Sequence, residues 1–490
     1  MILATTLLVA CARVEEPRAV AFVRGGVLVD GAYEARQWTP GEVIHGVSAP
    51  LSPECAPVFH VELEDMARLA ALDAPAPGAA LAFSPDGAWL AIGSDAGSLR
   101  VLDAWTGKER ARSKIAEGAI RRVAWSPDGG TLYVGEQSPD ATVSAVDPAT
   151  LTPRWSRRLA DELQTSPLPP LDDVFGLYSL PGVYEILPIE GGDILVAGAH
   201  GWDPGDGRRN RSRLWRLGAD GAERAAWPPD GVADAILLHP VVFGSRVMVG
   251  LSRSADGPAP DLPIGGVMAL DAATLTPAWT RRFEPLKPWF NDVFIWEAAT
   301  LDDRVAVAGL GDGRAYLLDP TTGAERAALA PGVPILSAGV PIAVGVGFAA
   351  VRDGIAYLLT TTTNIPWGSA DPATRPPSVH PAEHTLHAVT ADGTPVWSWS
   401  GPHALRGVIP SPDGAWIASA AAERATDART DLFGAVILDR ATGALAATCS
   451  TAGPAHFRAA WSTDGRLAVA EAPYNTPAGV AGAYRVTVFR

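Results

Sequence analysis

Leu81-Ala82-Phe83-Ser84-Pro85-Asp86-Gly87-Ala88-Trp89-Leu90-Ala91-Ile92-Gly93-Ser94 reads as a strand, a tight turn and a second strand. Pro85 presets φ for the turn, and Asp86-Gly87 supplies the positive φ at its end. The phrase returns around Ser126-Pro127-Asp128-Gly129, Ser411-Pro412-Asp413-Gly414 and Ser462-Thr463-Asp464-Gly465. Weaker versions stand at Gly191-Gly192, Gly244-Ser245, Asp302-Asp303 and Asp353-Gly354, making eight such turns.

A second phrase follows at a variable distance. It reads Val101-Leu102-Asp103-Ala104-Trp105-Thr106-Gly107, with copies around Asp147, Asp271, Asp319 and Asp439 and variants at 218–221 and 390–393. The Asp can bond its own loop backbone and a Gly closes the turn, so this is another hairpin. A short strand comes next, often with Trp, as in Pro153-Arg154-Trp155, Pro277-Ala278-Trp279 and Pro395-Val396-Trp397. Each unit is therefore four antiparallel strands, a to d. One such sheet cannot bury both faces, and radial stacking of several solves this with only short edges left.

The pattern predicts an all-β chain forming a single eight-bladed β-propeller of four-stranded antiparallel blades, with seven blades as the alternative. The last repeat ends at Tyr484 to Arg490 with no fourth strand of its own. A strand within 58–72 is expected to complete it. The domain reading is 1–11 a lipoprotein signal, 12–57 an N-terminal extension and 58–490 the propeller.

The two phrases resemble bacterial propellers of the WD40-like and quinoprotein-like (PQQ-repeat) superfamilies. The Ser-Pro-Asp-Gly phrase is similar to the repeat of TolB-type propellers, and the Asp-x-x-Thr phrase followed by Trp to the PQQ-type repeat. The resemblance covers about residues 58–490 and implies a fold rather than a function. The Gly-His and Trp-Asp signatures of eukaryotic-type WD40 repeats are absent. No segment matches a quinone-cofactor pocket, so no cofactor is expected.

The first eleven residues form a charge-free, mostly apolar run ending in Leu8-Val9-Ala10-Cys11, which resembles a bacterial lipobox. The stretch is too short to span a bilayer. The resemblance implies a place in the bacterial cell envelope, periplasmic or surface-exposed, with a lipid on Cys11 as the expected sole membrane attachment. Cys55 and Cys449 then remain, in an oxidising compartment, either as a disulfide pair or as two buried thiols. Residues 327–351 also lack charge, but Pro331, Pro334 and Pro341 make them buried strands and turns rather than a span.

The chain carries 39 Lys+Arg against 54 Asp+Glu, a formal charge of −15, which repels phosphate backbones and argues against nucleic acid as partner. No nucleophile elbow, His-Glu-x-x-His or phosphate-binding Gly-Lys-Ser/Thr loop is present. His380, Glu383 and His384 have metal-like spacing but sit among prolines, in a loop. Asp172-Asp173, Asp302-Asp303 and the Asp203/Asp206 loop could hold a cation, but Asp pairs in turns usually cap backbone.

Length variation is one-sided. The a–b and c–d turns stay short, while the b–c loops (199–212, 253–264, 363–385, 422–433) and d–a loops (160–182, 284–292) swell. Long loops on one rim of a rigid scaffold point to a single binding face. The face candidates are Phe175, Tyr178, Trp202, Asp203, Arg208, Arg209, Trp289, Phe290, Trp296, Trp367 and Tyr474, mixing the aromatic and Arg anchors favoured at interfaces. The expected function is a non-enzymatic propeller binding a protein partner in the envelope. The alternatives are a hydrolase or lactonase with a divalent metal in the central funnel, and a propeller sensing a small molecule or glycan.

Overall fold

A computed structural model describes residues 26–29, 32–35, 37–38, 55–64, 66, 80–163, 180–202, 209–252, 265–366, 375–422, 433–455, 459–476 and 479–490. From Ala80 onward, strands follow one another in antiparallel sheets of four. Eight such units can be counted along the described residues. Units 2 and 3 are joined by one extra pairing, Gln137 to Gly182.

The first strand of each unit packs against the first strand of the next. The series 80–83, 119–125, 182–188, 236–243, 299–301, 346–352, 404–410 and 459–461 returns on itself, because the last touches the first. That closed inner ring is a β-propeller. Its last unit takes strands Ala459–Trp461, Leu467–Glu471 and Arg485–Phe489 from the C-terminal end and Pro57–Glu62 from the N-terminal end.

The turn chemistry repeats. In four a–b turns Ser Oγ donates to Asp Oδ1 two residues on: Ser84–Asp86, Ser126–Asp128, Ser411–Asp413 and Ser462–Asp464, each at 2.5 Å. The c–d turns are Asx turns. Asp103, Asp147, Asp271, Asp319 and Asp439 accept from the backbone N–H and hydroxyl of the Thr three residues later. Arg154 and Arg326 donate to Asp147 and Asp319 and hold those carboxyls down at about 2.

Units come in two kinds. In units 2, 4, 6 and 8 the outer strand begins with Pro and carries a large ring at its third position: Trp155, Trp279, Trp397 and Phe59. In units 1, 3, 5 and 7 that third position is Ala111, Ala225, Ala327 and Ala447. Each ring lies on a turn glycine of the following unit: Gly221, Gly323, Gly443 and, across the closure, Gly107. A Cβ there would sit 2.5 to 2.7 Å from ring carbon. The three indoles also donate to carbonyls of that turn, at Ala219, Pro320 and Arg440. At the alternate seams Leu151 and Leu275 fill the space beside Ala111 and Ala225.

The seam from unit 7 to unit 8 has no c–d turn, since the two chain ends meet there. There Cys55, two residues ahead of the closing strand, is joined by a disulfide to Cys449 on the outer strand of unit 7, with Cα atoms 4.9 Å apart. The span 327–351 forms short strands Ile335–Ser337, Val340–Ile342 and part of Val346–Arg352. Among the described residues, no helix is long and apolar enough to cross a membrane.

All a–b and c–d turns lie at one rim and stay short, 126–131 being among the longest. The b–c and d–a connections start and finish at the other rim. They include 159–181, 283–298 and 361–384. Strand pairing continues into one of them, as Ile194–Trp202 and Arg209–Leu217 stay in register to the Trp202–Arg209 pair.

Candidate functional site

Five inner strands bulge on the channel side. Their ladders skip Arg121, Tyr184, His239-Pro240, Gly347 and Gly407-Val408. A bulge re-aims the side chains around it, and bulges gather beside sites. His239 sits at φ +50°, a left-handed conformation that a non-glycine residue adopts at a cost.

Four charged or polar groups from consecutive units meet on this wall. Arg122 Nε donates to Glu185 Oε1 at 3.1 Å, and Arg122 Nη2 donates to His239 Nδ1 at 2.7 Å. The same Nδ1 also lies 3.3 Å from Glu185 Oε2, so this ring nitrogen faces both the guanidinium and the carboxylate. Nε2 lies 3.1 Å from Glu297 Oε1. Burial alone would raise the Glu185 carboxyl; the Arg122 charge and the His239 bond outweigh it and hold the group below its ordinary range.

Trp296 links this wall to a cavity. Its indole lies 6.1 Å from the His239 ring and stacks on Phe294 at 5.6 Å. It remains 38% exposed. The cavity, about 360 Å³, opens beside it on the long-loop side. Phe290, Asp292, Phe294 and Trp296 come from the connection leading into unit 5. Gly311 and Asp312 come from the b–c turn of that unit. Phe348, Thr361 and Asn364 belong to unit 6 and Arg406 to the inner strand of unit 7.

Phe290 also faces away from solvent. With Tyr33, Leu286, Val333 and Ala343 it forms a small core, against which Trp289 packs. Trp289 Nε1 donates to the Tyr33 carbonyl at 2.8 Å, and the Tyr33 hydroxyl donates to Pro334 O. Tyr33 is thus held on the same rim, where Gln37–Trp38 pairs in parallel with Leu336–Ser337.

The sequence candidates therefore divide. Phe290 and Trp296 line the cavity, whereas Trp289 is half-buried under the extension. Tyr474 lies at the far side of the ring and meets Phe433 edge-on at 5.8 Å. Trp202 and Arg209 close the unit 3 hairpin as a backbone pair. Phe175, Tyr178, Asp203, Arg208, Trp367 and Cys11 lie outside the described residues, as do Asp172, Asp173 and Asp206. The channel wall of Arg122, Glu185, His239 and Glu297, and the cavity residues Asp292, Phe294, Phe348 and Asn364, are additions that sequence reasoning did not reach.

The histidines of unit 6 have structural partners. His380 Nδ1 accepts from Ala382 N, and His384 Nε2 lies 3.1 Å from Thr362 Oγ1. Asp302 accepts from Arg304, Val305 and Gly354 N–H and so caps two turns. Among the described residues, no three His, Cys, Asp or Glu side chains are placed to hold a metal ion.

Comparison with known proteins agrees on the fold. Residues 79–103 match the family model "WD domain, G-beta repeat", which covers the hairpin quoted first. The quinohemoprotein alcohol dehydrogenase from Comamonas testosteroni is similar in structure, with a TM-score of 0.54 at 15% identity over 89% of this chain and 76% of that one. The C-terminal WD40 domain of Sif2 gives 0.52 at 11% identity, over 90% and 99%. The quinohemoprotein alcohol dehydrogenase ADHIIG from Pseudomonas putida HK5 gives 0.53 at 13%, over 90% and 78%. By sequence, no characterised protein matches the chain. At these identities the likeness is one of fold.

Proposed function

We propose that this chain is a non-enzymatic binding propeller of the bacterial cell envelope, held by a lipid on Cys11, and that it captures a protein partner on its long-loop face. The observation that carries the reading is the convergence on one rim of the long connections, the half-exposed Trp296 and an aromatic-lined cavity. A rigid ring presenting variable loops is a common design for recognition. Aromatic anchors at a concave mouth are the usual centre of such an interface. The Cys55–Cys449 disulfide supports an oxidising compartment, since such bonds persist outside the cytosol.

Crosslinking in native envelopes tests the face. The wild-type chain should yield a defined partner that Trp296→Ala loses and that Trp105→Ala, on the opposite rim, keeps. The same partner from both variants would refute the face. Labelled palmitate should enter the wild type and not Cys11→Ser; equal labelling would refute the anchor.

A further inference from the structure

The cavity beside Trp296 has a definite chemistry. Three of its walls are rings: Phe294, Trp296 and Phe348. Two acceptors on the same lining are left over. Among the described residues, no hydrogen bond or ion pair from another residue reaches the Asp292 carboxylate, and Asn364 Oδ1 is buried with none. The other carboxylate, Asp312, is already held by Arg314, which chelates it through Nε and Nη2. Burial raises the Asp292 carboxyl above its ordinary range, with no neighbouring cation among the described residues to offset it.

Aromatic faces with an uncompensated carboxylate attract a cation that also donates hydrogen bonds. Arg406 also lines the cavity, from the inner strand of unit 7 beside the unit that carries Asn364. A volume of about 360 Å³ is at the small end of ligand pockets and suits one long side chain with its adjoining backbone. The chain as a whole is strongly acidic, which favours a basic partner.

We propose that this cavity receives a lysine or arginine side chain of the partner protein. The cationic head lies between the rings of unit 5 and Phe348 of unit 6, with Asp292 as counter-ion and Asn364 as further acceptor. The assignment rests on the protein-binding reading of this face.

The probes are N-acetyl-lysine methylamide, N-acetyl-arginine methylamide and, as the neutral isostere, N-acetyl-norleucine methylamide, titrated calorimetrically into the full chain. One cationic probe should bind saturably, about tenfold or more tighter than norleucine. Asp292→Asn, with its melting curve checked against wild type, should weaken that binding by about tenfold and leave norleucine unchanged. Trp296→Leu should weaken it as well.

Equal binding of norleucine, unaltered binding in Asp292→Asn, or no saturation with either cation would overturn the proposal. Tetramethylammonium binding tighter than both amino-acid probes would overturn the side-chain occupant in favour of a small ligand. Loss of probe binding with crosslinks intact would remove the cation pocket and leave the face. Probe binding without Trp296-dependent crosslinks would do the reverse.

Discussion

The joint between Trp279 and Gly323 allows a stringent test of how the units hold together. Gly323 has φ +70°, and a Cβ built on it falls 2.6 Å from Trp279 Cε3. Gly323→Ala therefore meets two costs. The left-handed backbone costs about 1–2 kcal/mol, and the steric conflict about 1–3 kcal/mol more. Gly339 supplies the control. Its φ is +80° with nothing within 4 Å of the built Cβ, so Gly339→Ala bears only the first cost.

Trp279→Ala alone should cost about 3–5 kcal/mol through the cavity it leaves. In that background Gly323→Ala should lose its steric term, so the double mutant is more stable than the summed singles by about 1–3 kcal/mol. Urea unfolding followed by both fluorescence and circular dichroism measures this, using only variants whose two transitions coincide. A Gly323→Ala midpoint no lower than that of Gly339→Ala, or an additive cycle, would refute ring-on-glycine docking.

Three further outcomes are expected. Deleting 485–490 removes the strand between Leu467–Glu471 and Pro57–Glu62, so the cooperative transition should vanish; an unchanged melt would show that the ring does not depend on this closure. Cys449→Ser should lower stability by about 2–5 kcal/mol, and dithiothreitol should do the same to the wild type; an unmoved denaturation midpoint in both would discount the bridge. Burial holds the His387 imidazole down at about 4, against 6.5 when free, so its contribution is complete above pH ~6.5 and fades as pH falls toward 4, by about 3 kcal/mol in all. His387→Gln should flatten that part of the stability profile, and a wild-type curve already flat between pH 4 and 6.5 would contradict it.

The turns are legible in the sequence because their backbone angles restrict residue choice. Ser-x-Asp-Gly must satisfy a hydroxyl, a carboxylate and a positive φ in four residues, and few other combinations do so. The ring-bearing outer strands are half legible. Trp155, Trp279 and Trp397 stand out, but Phe59 does not, and nothing local ties each ring to a glycine some 44 to 66 residues later.

The candidate site is legible only through residue type. Trp296 and Phe290 attract notice as aromatics in a long loop. Asp292 and Asn364 matter because, among the described residues, no hydrogen bond from another residue reaches the Asp292 carboxylate or Asn364 Oδ1, which no local pattern encodes. Arg122, Glu185, His239 and Glu297 are scattered over four repeats, and their meeting depends on the inner strands standing side by side. Aligning the repeats by their a–b turns would have placed the first three on equivalent strands.

The alternation of bulky and small outer strands carries a parity condition. A ring-bearing unit needs a glycine neighbour downstream, whereas Ala111 and Ala225 meet leucines and Ala327 lies against Gly393. Removing unit 3 alone would set Trp155 against Leu275, whereas removing units 3 and 4 together would bring it onto Gly323. At ring-bearing seams the match to a glycine is therefore kept when units are lost in pairs.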